Sequence, residues 1–276
     1  MLYFKKGFYL AILLLFSEFL FANEPNMIIS ESFSGVKTIY MDLSFENIFI
    51  ENIYGNEILV ELYSNNKNKL PAVSAQDNSL ILKSVNKKLY PSDYCTVKIY
   101  IPTEAFFDEV NIKSGNGSIT FESINADEII LNSVNGKICG KELTGISNIQ
   151  ISSIAGEIDI NSAETETISV ETVSGSIYLA SLKTDYFDSK SESGSIEIIL
   201  KNPPKASSFI KNISGNIELA IQKKSGFDFI ASSTSGTLHD EINNLRLSPR
   251  NEYRNSFFDG GAEIQVRTTS GNIILK

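Results

Sequence analysis

Residues 133–160 read "SVNGKICGKELTGISNIQISSIAGEIDI", and Ser-x-x-Gly-x-Ile occurs in them twice, at 133–138 and at 153–158. The same turn returns along the chain. With Gly117, Gly136, Gly156, Gly175, Gly194, Gly215, Gly236 and Gly271 as anchors, the spacings are 19, 20, 19, 19, 21, 21 and 35 residues. Two residues after each anchor stands Ile or, once, Leu238, and three before it stands Ser, Thr or Asn without exception, from Ser114 to Thr268. Five and seven before, the positions are mostly apolar, as in Ile112, Leu131, Ile151 and Val170, then Val110, Ile129, Ile149 and Ile168. Each repeat is therefore strand, tight turn, strand, with period-two alternation on both sides of the turn.

A hairpin meander and a β-solenoid both contain that unit. Only the solenoid gives a reason for the same residue type at equivalent positions, because position n of one coil lies about 4.8 Å above position n of the coil before it. The fold class predicted is all-β, a single-chain β-solenoid with about 20 residues per coil. The glycines are expected to supply the positive φ of a tight bend. The Ser/Thr/Asn column, in phase with the inward residues, should lie at a corner of the interior and bond to the turn backbone. Ile158 should lie between Ile138 and Ile177 in a buried ladder.

Around this array, residues 23–105 read as an N-terminal β-region that caps it, with Gly55 marking a degenerate coil, and residues 106–276 as the repeat solenoid. The polar stretch 239–262, "HDEINNLRLSPRNEYRNSFFDGGA", breaks the register and reads as an inserted loop before the last coil. Gly140 and Asp240 stand at inward positions where other repeats are apolar and mark irregular coils. Both ends of a solenoid need covering against edge-to-edge association.

The chain opens "MLYFKKGFYLAILLLFSEFLFANEP". Lys5 and Lys6 precede an apolar run from Gly7 to Ala22 that is interrupted by Glu18 and falls short of the about 20 residues a membrane span needs. Residues 1–22 are thus expected to be a cleaved signal peptide, with Ala22 at the cleavage site. The mature chain, which has no second apolar run, should be exported to the periplasm, the medium or the cell surface, with no integral membrane segment after cleavage. A net charge of −9 without a basic stripe argues against nucleic acid and anionic lipid as partners. Alternation turns Cys95 inward and Cys139 outward, so two free thiols are expected rather than a disulfide.

The turns "SGNGSI", "SVNGKI", "SIAGEI", "TVSGSI", "SESGSI", "NISGNI" and "TTSGNI", with the lead-in "VKIYIPTEAFFDEVNIK", resemble the bacterial putative-adhesin family of unknown function, kin to autotransporter adhesin head domains. The resemblance extends over nearly the whole mature chain. It implies an extracytoplasmic, non-enzymatic β-solenoid, and it offers no catalytic residue to carry over.

The strongest enzymatic alternative is a carbohydrate-active enzyme, a polysaccharide lyase or hydrolase on a β-helix. Glu157 and Asp159 face outward on one coil, and Glu197 and Glu218 would stack about 5 Å apart, near the carboxyl spacing of a retaining glycosidase. Against it stand the absence of Trp and the scarcity of nearby Arg. A soluble component of an envelope-stress system is a second alternative. No metal and no cofactor are expected: His239 is the single histidine, and neither a Cys/His cluster nor a calcium-binding Gly-Asp repeat is present. "SGNGS" at 114–118 opens onto a strand rather than a helix, which disqualifies it as a phosphate cradle. The remaining candidate is the column two before each Gly, where Val134, Ile154, Val173 and Ile213 are apolar although alternation turns them outward. Interrupted at Gly115, Glu192 and Thr234, it would form a narrow stripe suited to a protein or glycan of the cell envelope or a host surface. Rotation of that position back into the interior by the tight bend, or its covering by the N-terminal β-region, is the competing expectation.

Overall fold

The computed structural model describes residues 27–85, 93–248 and 252–276, so the expected signal peptide 1–22 lies outside the described residues. The described residues form 21 strands joined by turns, with one short 3-10 turn at Lys67–Lys69 and no α-helix, and the strands make one hydrogen-bonded network. Four long strands, Ile119–Ser133, Ile138–Ser153, Ile158–Thr172 and Ile177–Ser191, stack in parallel and in chain order. Their register is that of the repeat: Ile119, Ile138, Ile158 and Ile177 align, and so do Ser133, Ser153, Thr172 and Ser191. The parallel register is the solenoid's, not the meander's.

Each coil has two faces. Ile177–Ser191 pairs through Ile177–Leu182 with Ile196–Leu200 and through Asp188–Ser191 with Ser208–Asn212, and the corner between the latter two carries Pro203 and Pro204. Inside runs a ladder of Val97, Ile48, Ile119, Ile138, Ile158, Ile177, Ile196, Ile217, Ile273 and Leu238, at most 1% exposed at every rung. Burial of each such side chain is worth roughly 1.5–3 kcal/mol. Gly140 belongs to the packing: a Cβ there would fall 2.0 Å from the Phe121 ring, so the missing side chain of one coil makes room for the large one of the coil before it.

Stack order departs from chain order at both ends. Ile273 lies between Ile217 and Leu238, and Val266 between Ile210 and Ala231. The Gly271 coil, expected last, is second from the end, and the Gly236 coil is outermost. The N-terminal end repeats the arrangement. Thr38–Leu43 sits between Ser79–Lys83 and Phe107–Ser114, and Asn47–Ile53 between Cys95–Pro102 and Ile119–Phe121. First and last coils are thereby held on both sides, which suppresses the fraying to which chain termini are prone.

Residues 239–262 are not only a loop. Leu245–Leu247 pairs antiparallel with Leu238–Asp240, and Tyr253–Phe257 with Phe227–Ala231, so the excursion covers the outermost strand on each face. At the other end Ile58–Ser64 and Met27–Phe33 add antiparallel strands to one face and Ala72–Gln76 to the other. A short turn suffices to lay down an antiparallel cover, whereas another parallel strand needs a full circuit. Gly55, at φ +149°, lies in the turn between Asn47–Ile53 and Ile58–Ser64, not in a coil. Asp240, fully buried in the outermost coil, accepts hydrogen bonds from the Asn243 amide (2.8 Å) and the Tyr253 hydroxyl (2.7 Å).

The turn glycines require a correction. None of the eight anchors has positive φ; that conformation is confined to Gly35, Gly55 and Gly260 among the described glycines. What each anchor lacks is space. A Cβ would fall 1.8–2.1 Å from the carbonyl oxygen of the neighbouring coil's equivalent residue, Glu46 below Gly117 and a glycine elsewhere. Glycine is demanded here by close stacking of backbones.

Candidate functional site

The turn edge is built from the inside outward. The Ser153, Thr172, Ser191 and Ser233 hydroxyls accept from the N–H of Gly156, Gly175, Gly194 and Gly236 at 2.8–3.0 Å. Ser191 and Ser233 also donate to the Gly175 and Gly271 carbonyls at 3.2 and 2.9 Å. This polar column, expected at an inner corner, therefore fixes four of the bends and ties two of them to their neighbours, while the buried Ser133 hydroxyl has no partner among the described residues. In the first coil Glu46 stands where later coils have Gly, and its buried carboxylate accepts from the Ser44 and Phe45 N–H groups and the Ser84 hydroxyl. Sequence reasoning missed that turn because it lacks glycine. The alternating Ile39, Met41, Leu43 and then Ile48, Ile50 about a four-residue gap were the available signal.

With the bend pinned, the position two before each Gly points out. Val134, Ile154, Val173 and Ile213 are 42%, 53%, 41% and 52% exposed, so the competing expectation that the bend or the N-terminal β-region covers them is overturned. The three consecutive ones stack by backbone hydrogen bonds: Ile154 N to Val134 O (3.2 Å), Ser174 N to Ile154 O (2.9 Å) and Glu192 N to Val173 O (3.2 Å). Beside them runs a hydroxyl column that sequence reasoning did not single out. Ser174, Ser193, Ser214, Ser270 and Ser235 each donate to a carbonyl of the preceding coil at 3.2–3.3 Å. The edge is thus an apolar line of Val134, Ile154 and Val173, broken by Glu192 before Ile213, with hydroxyls alongside from Ser174 onward, at a repeat of about 4.8 Å. Because of the stack order its far end reads Ile213, Thr269, Thr234 rather than Ile213, Thr234.

The carboxylates are arranged otherwise. Glu197 and Glu218 are neighbours in register, but the Lys276 ammonium is ion-paired with Glu218, which raises the lysine pKa through that hydrogen bond. Tyr178 aligns with Glu197 on the adjacent coil. Lys137 bridges Glu157 (3.1 Å) and Asp159 (2.9 Å), and its own pKa is raised chiefly by the bond to Asp159. A retaining glycosidase needs two carboxyl groups facing one glycosidic bond; here a lysine occupies Glu218 in one pair and both carboxylates of the other. Cys95 is buried, Cys139 half-buried, and both are free thiols. Among the described residues no group of three or more His, Cys, Asp or Glu could hold a metal ion, and no helix is long and apolar enough to cross a membrane. Two open clefts, about 490 Å³ beside Asp228 and Arg254 and about 270 Å³ beside Phe33 and Phe106, include neither the stripe nor the carboxylates.

Stacked coils, an interior of ladders and an outer edge of repeated small features define a β-solenoid repeat protein. More particularly, the Toastrack DUF4097 family matches residues 36–276, and the chain belongs to that family. Two solved structures share the fold. One, "a putative adhesin" from Bacteroides fragilis NCTC 9343, is 15% identical with a TM-score of 0.52, over 90% of this chain and 96% of its own. The other, "a putative adhesin" from Parabacteroides merdae ATCC 43184, is 12% identical with a TM-score of 0.50, over 92% and 97%. No curated protein matches the chain.

Proposed function

We propose that this chain is an exported, non-enzymatic binding or scaffold protein of the cell envelope, an adhesin, whose contact edge is the stripe of Val134, Ile154, Val173 and Ile213. The observation that carries this reading is the exposure of four aliphatic side chains at positions the fold does not need for its core. An aliphatic line with serines alongside from Ser174 onward suits an extended protein segment or glycan laid along the stack, which would lose water from the line and bond to those serines. Export is supported by the leader-like residues 1–22, and the absence of enzymatic activity by the ion-paired state of the Glu197–Glu218 neighbourhood.

Attachment of the purified mature chain to fixed bacterial and epithelial cells and to an immobilised glycan array tests the reading. The wild type should bind at least one of these surfaces. Val134→Ser, Ile154→Ser and Val173→Ser combined should abolish that attachment and leave the melting temperature nearly unchanged. A stable triple variant that still attaches would remove the stripe from the function. Cleavage of a polysaccharide by the wild type, lost in Glu218→Gln, would replace a binding protein with an enzyme.

A further inference from the structure

The C-terminal segment 263–276 makes its strand pairings away from its neighbour in sequence. Glu263–Thr268 pairs with Ser208–Lys211 and with Asp228–Ser233, and Ile273–Leu275 with Ile217–Leu219 and Leu238–Asp240. The preceding strand Tyr253–Phe257 lies on the far side of Phe227–Ala231. The chain must therefore pass over the end of that strand within residues 258–262. The crossing is tight: a Cβ on Gly226 would fall 2.0 Å from Gly260 O, and one on Gly261 2.5 Å from Gly226 O.

The crossing is also strained. Phe258, Asp259 and Gly260 are consecutive left-handed residues, at φ +48°, +72° and +77°. Of the five described non-glycine residues with positive φ, four are Asp or Asn, which tolerate that region; Phe258 is the exception, and a bulky residue there is an outlier. Its ring is 45% exposed, so core packing does not hold it in place. The Gly260 N–H donates to the Phe257 carbonyl at 3.0 Å and closes a turn whose two central residues, Phe258 and Asp259, are both left-handed; keeping the bulky Phe258 at such a position is strained and is relieved only if the turn opens.

We propose that the chain exchanges its C-terminal coil, residues 263–276, with a second copy of itself, giving a reciprocal domain-swapped dimer. Exchange preserves every strand pairing of the segment, now made in the other copy's slot, and lets residues 258–262 extend. Reciprocity follows from the interior. Ile264, Val266, Ile273 and Leu275 are fully buried, so a copy that gave up its segment without receiving one would expose two apolar rungs on each side of an open slot. The partner is a second copy because the slot's register already fits this segment on both of its edges.

The test uses the mature chain with Cys139→Ser, carrying Ser214→Cys and Ser270→Cys, residues at equivalent positions of the Gly215 and Gly271 coils. The protein is warmed to near its melting midpoint at high concentration, cooled, mildly oxidised, and measured by light scattering and by denaturing electrophoresis without reductant. Exchange predicts a dimer whose chains remain linked at dimer mass after denaturation. Phe258→Gly, which relieves the strain of the closed form, should weaken dimerisation about tenfold, and deletion of Gly260 and Gly261 should strengthen it. Monomer at every concentration, or a dimer whose chains all run at monomer mass, overturns the proposal. So does a Phe258→Gly chain that dimerises as strongly as the wild type.

Discussion

At Gly175 the chain has no room for a methyl group: a Cβ would lie 2.1 Å from the Gly156 carbonyl oxygen, with ordinary negative φ at the glycine itself. Gly175→Ala should therefore destabilise by about 3 kcal/mol or more through forced separation of two coils. Gly55→Ala meets no atom within 4 Å and suffers only from its φ of +149°, so it should cost distinctly less. Equal losses in denaturant titrations of the two variants would contradict the close-stacking account. The requirement for glycine was legible in the sequence; its cause was not, because a repeated Gly reports a steric demand without saying whether it comes from torsion or from a neighbour. Charge at the residue scale gives a second prediction. Burial foremost, and then the Glu46 carboxylate, push the Cys95 thiol from 9.0 up to about 12. The unfolded chain loses that proton near pH 9 while the folded chain keeps it to about pH 12. The thiol's contribution is thus fully present below pH 9 and is lost progressively as pH rises from 9 to 12. Tyr253, raised to about 12 by burial and then by its bond to Asp240, acts in the same direction from pH 10 upward. The melting temperature should fall more steeply between pH 9 and 11 for the wild type than for Cys95→Ala; parallel curves would contradict the assignment.

The coil is the element of this fold, and it is defined by contacts to other coils rather than within itself. Ile158 shows this: it is fully buried between Ile138 and Ile177, its partners being twenty and nineteen residues away. Ile158→Asp would place a carboxylate in the ladder without a partner and should cost about 4 kcal/mol or more. A variant with unchanged thermal unfolding would refute the ladder register. At this scale the sequence was informative wherever a coil carried the full Ser-x-x-Gly-x-Ile turn. It was uninformative for the first coil, where Glu46 caps the turn in place of the Gly and Ser pair, and for residues 239–262, whose two antiparallel covers are too short and too polar to show alternation. Gly140 looked irregular because an inward position lacked an apolar side chain. Its complement, Phe121, lies nineteen residues earlier, and volume shared between coils has no local signature.

The whole molecule is a stack whose order differs from that of the chain, and this was the part least available from sequence. Ladder columns are alike from coil to coil, so the spacing of 21 residues between Gly215 and Gly236 reads as direct contact, and the gap of 35 residues before Gly271 reads as a detour. Pairing decides otherwise, and it matters for the outer edge, since the stripe's far end runs through Thr269 before Thr234. A terminal coil is intercalated at each end, and antiparallel strands cover the outermost coil beyond it, so the array is closed at both ends and a regular edge runs along its middle. The most direct measurement of that architecture is a disulfide race in a Cys139→Ser background. Ser214→Cys with Ser270→Cys places thiols on adjacent coils about 5 Å apart, within bridging range, whereas Ser214→Cys with Ser235→Cys places them two coils apart, at about 10 Å and beyond it. The stack described here predicts rapid oxidation of the first pair and none of the second. Bridging of Ser214→Cys to Ser235→Cys, with the first pair left reduced, would return the coils to chain order and contradict the account.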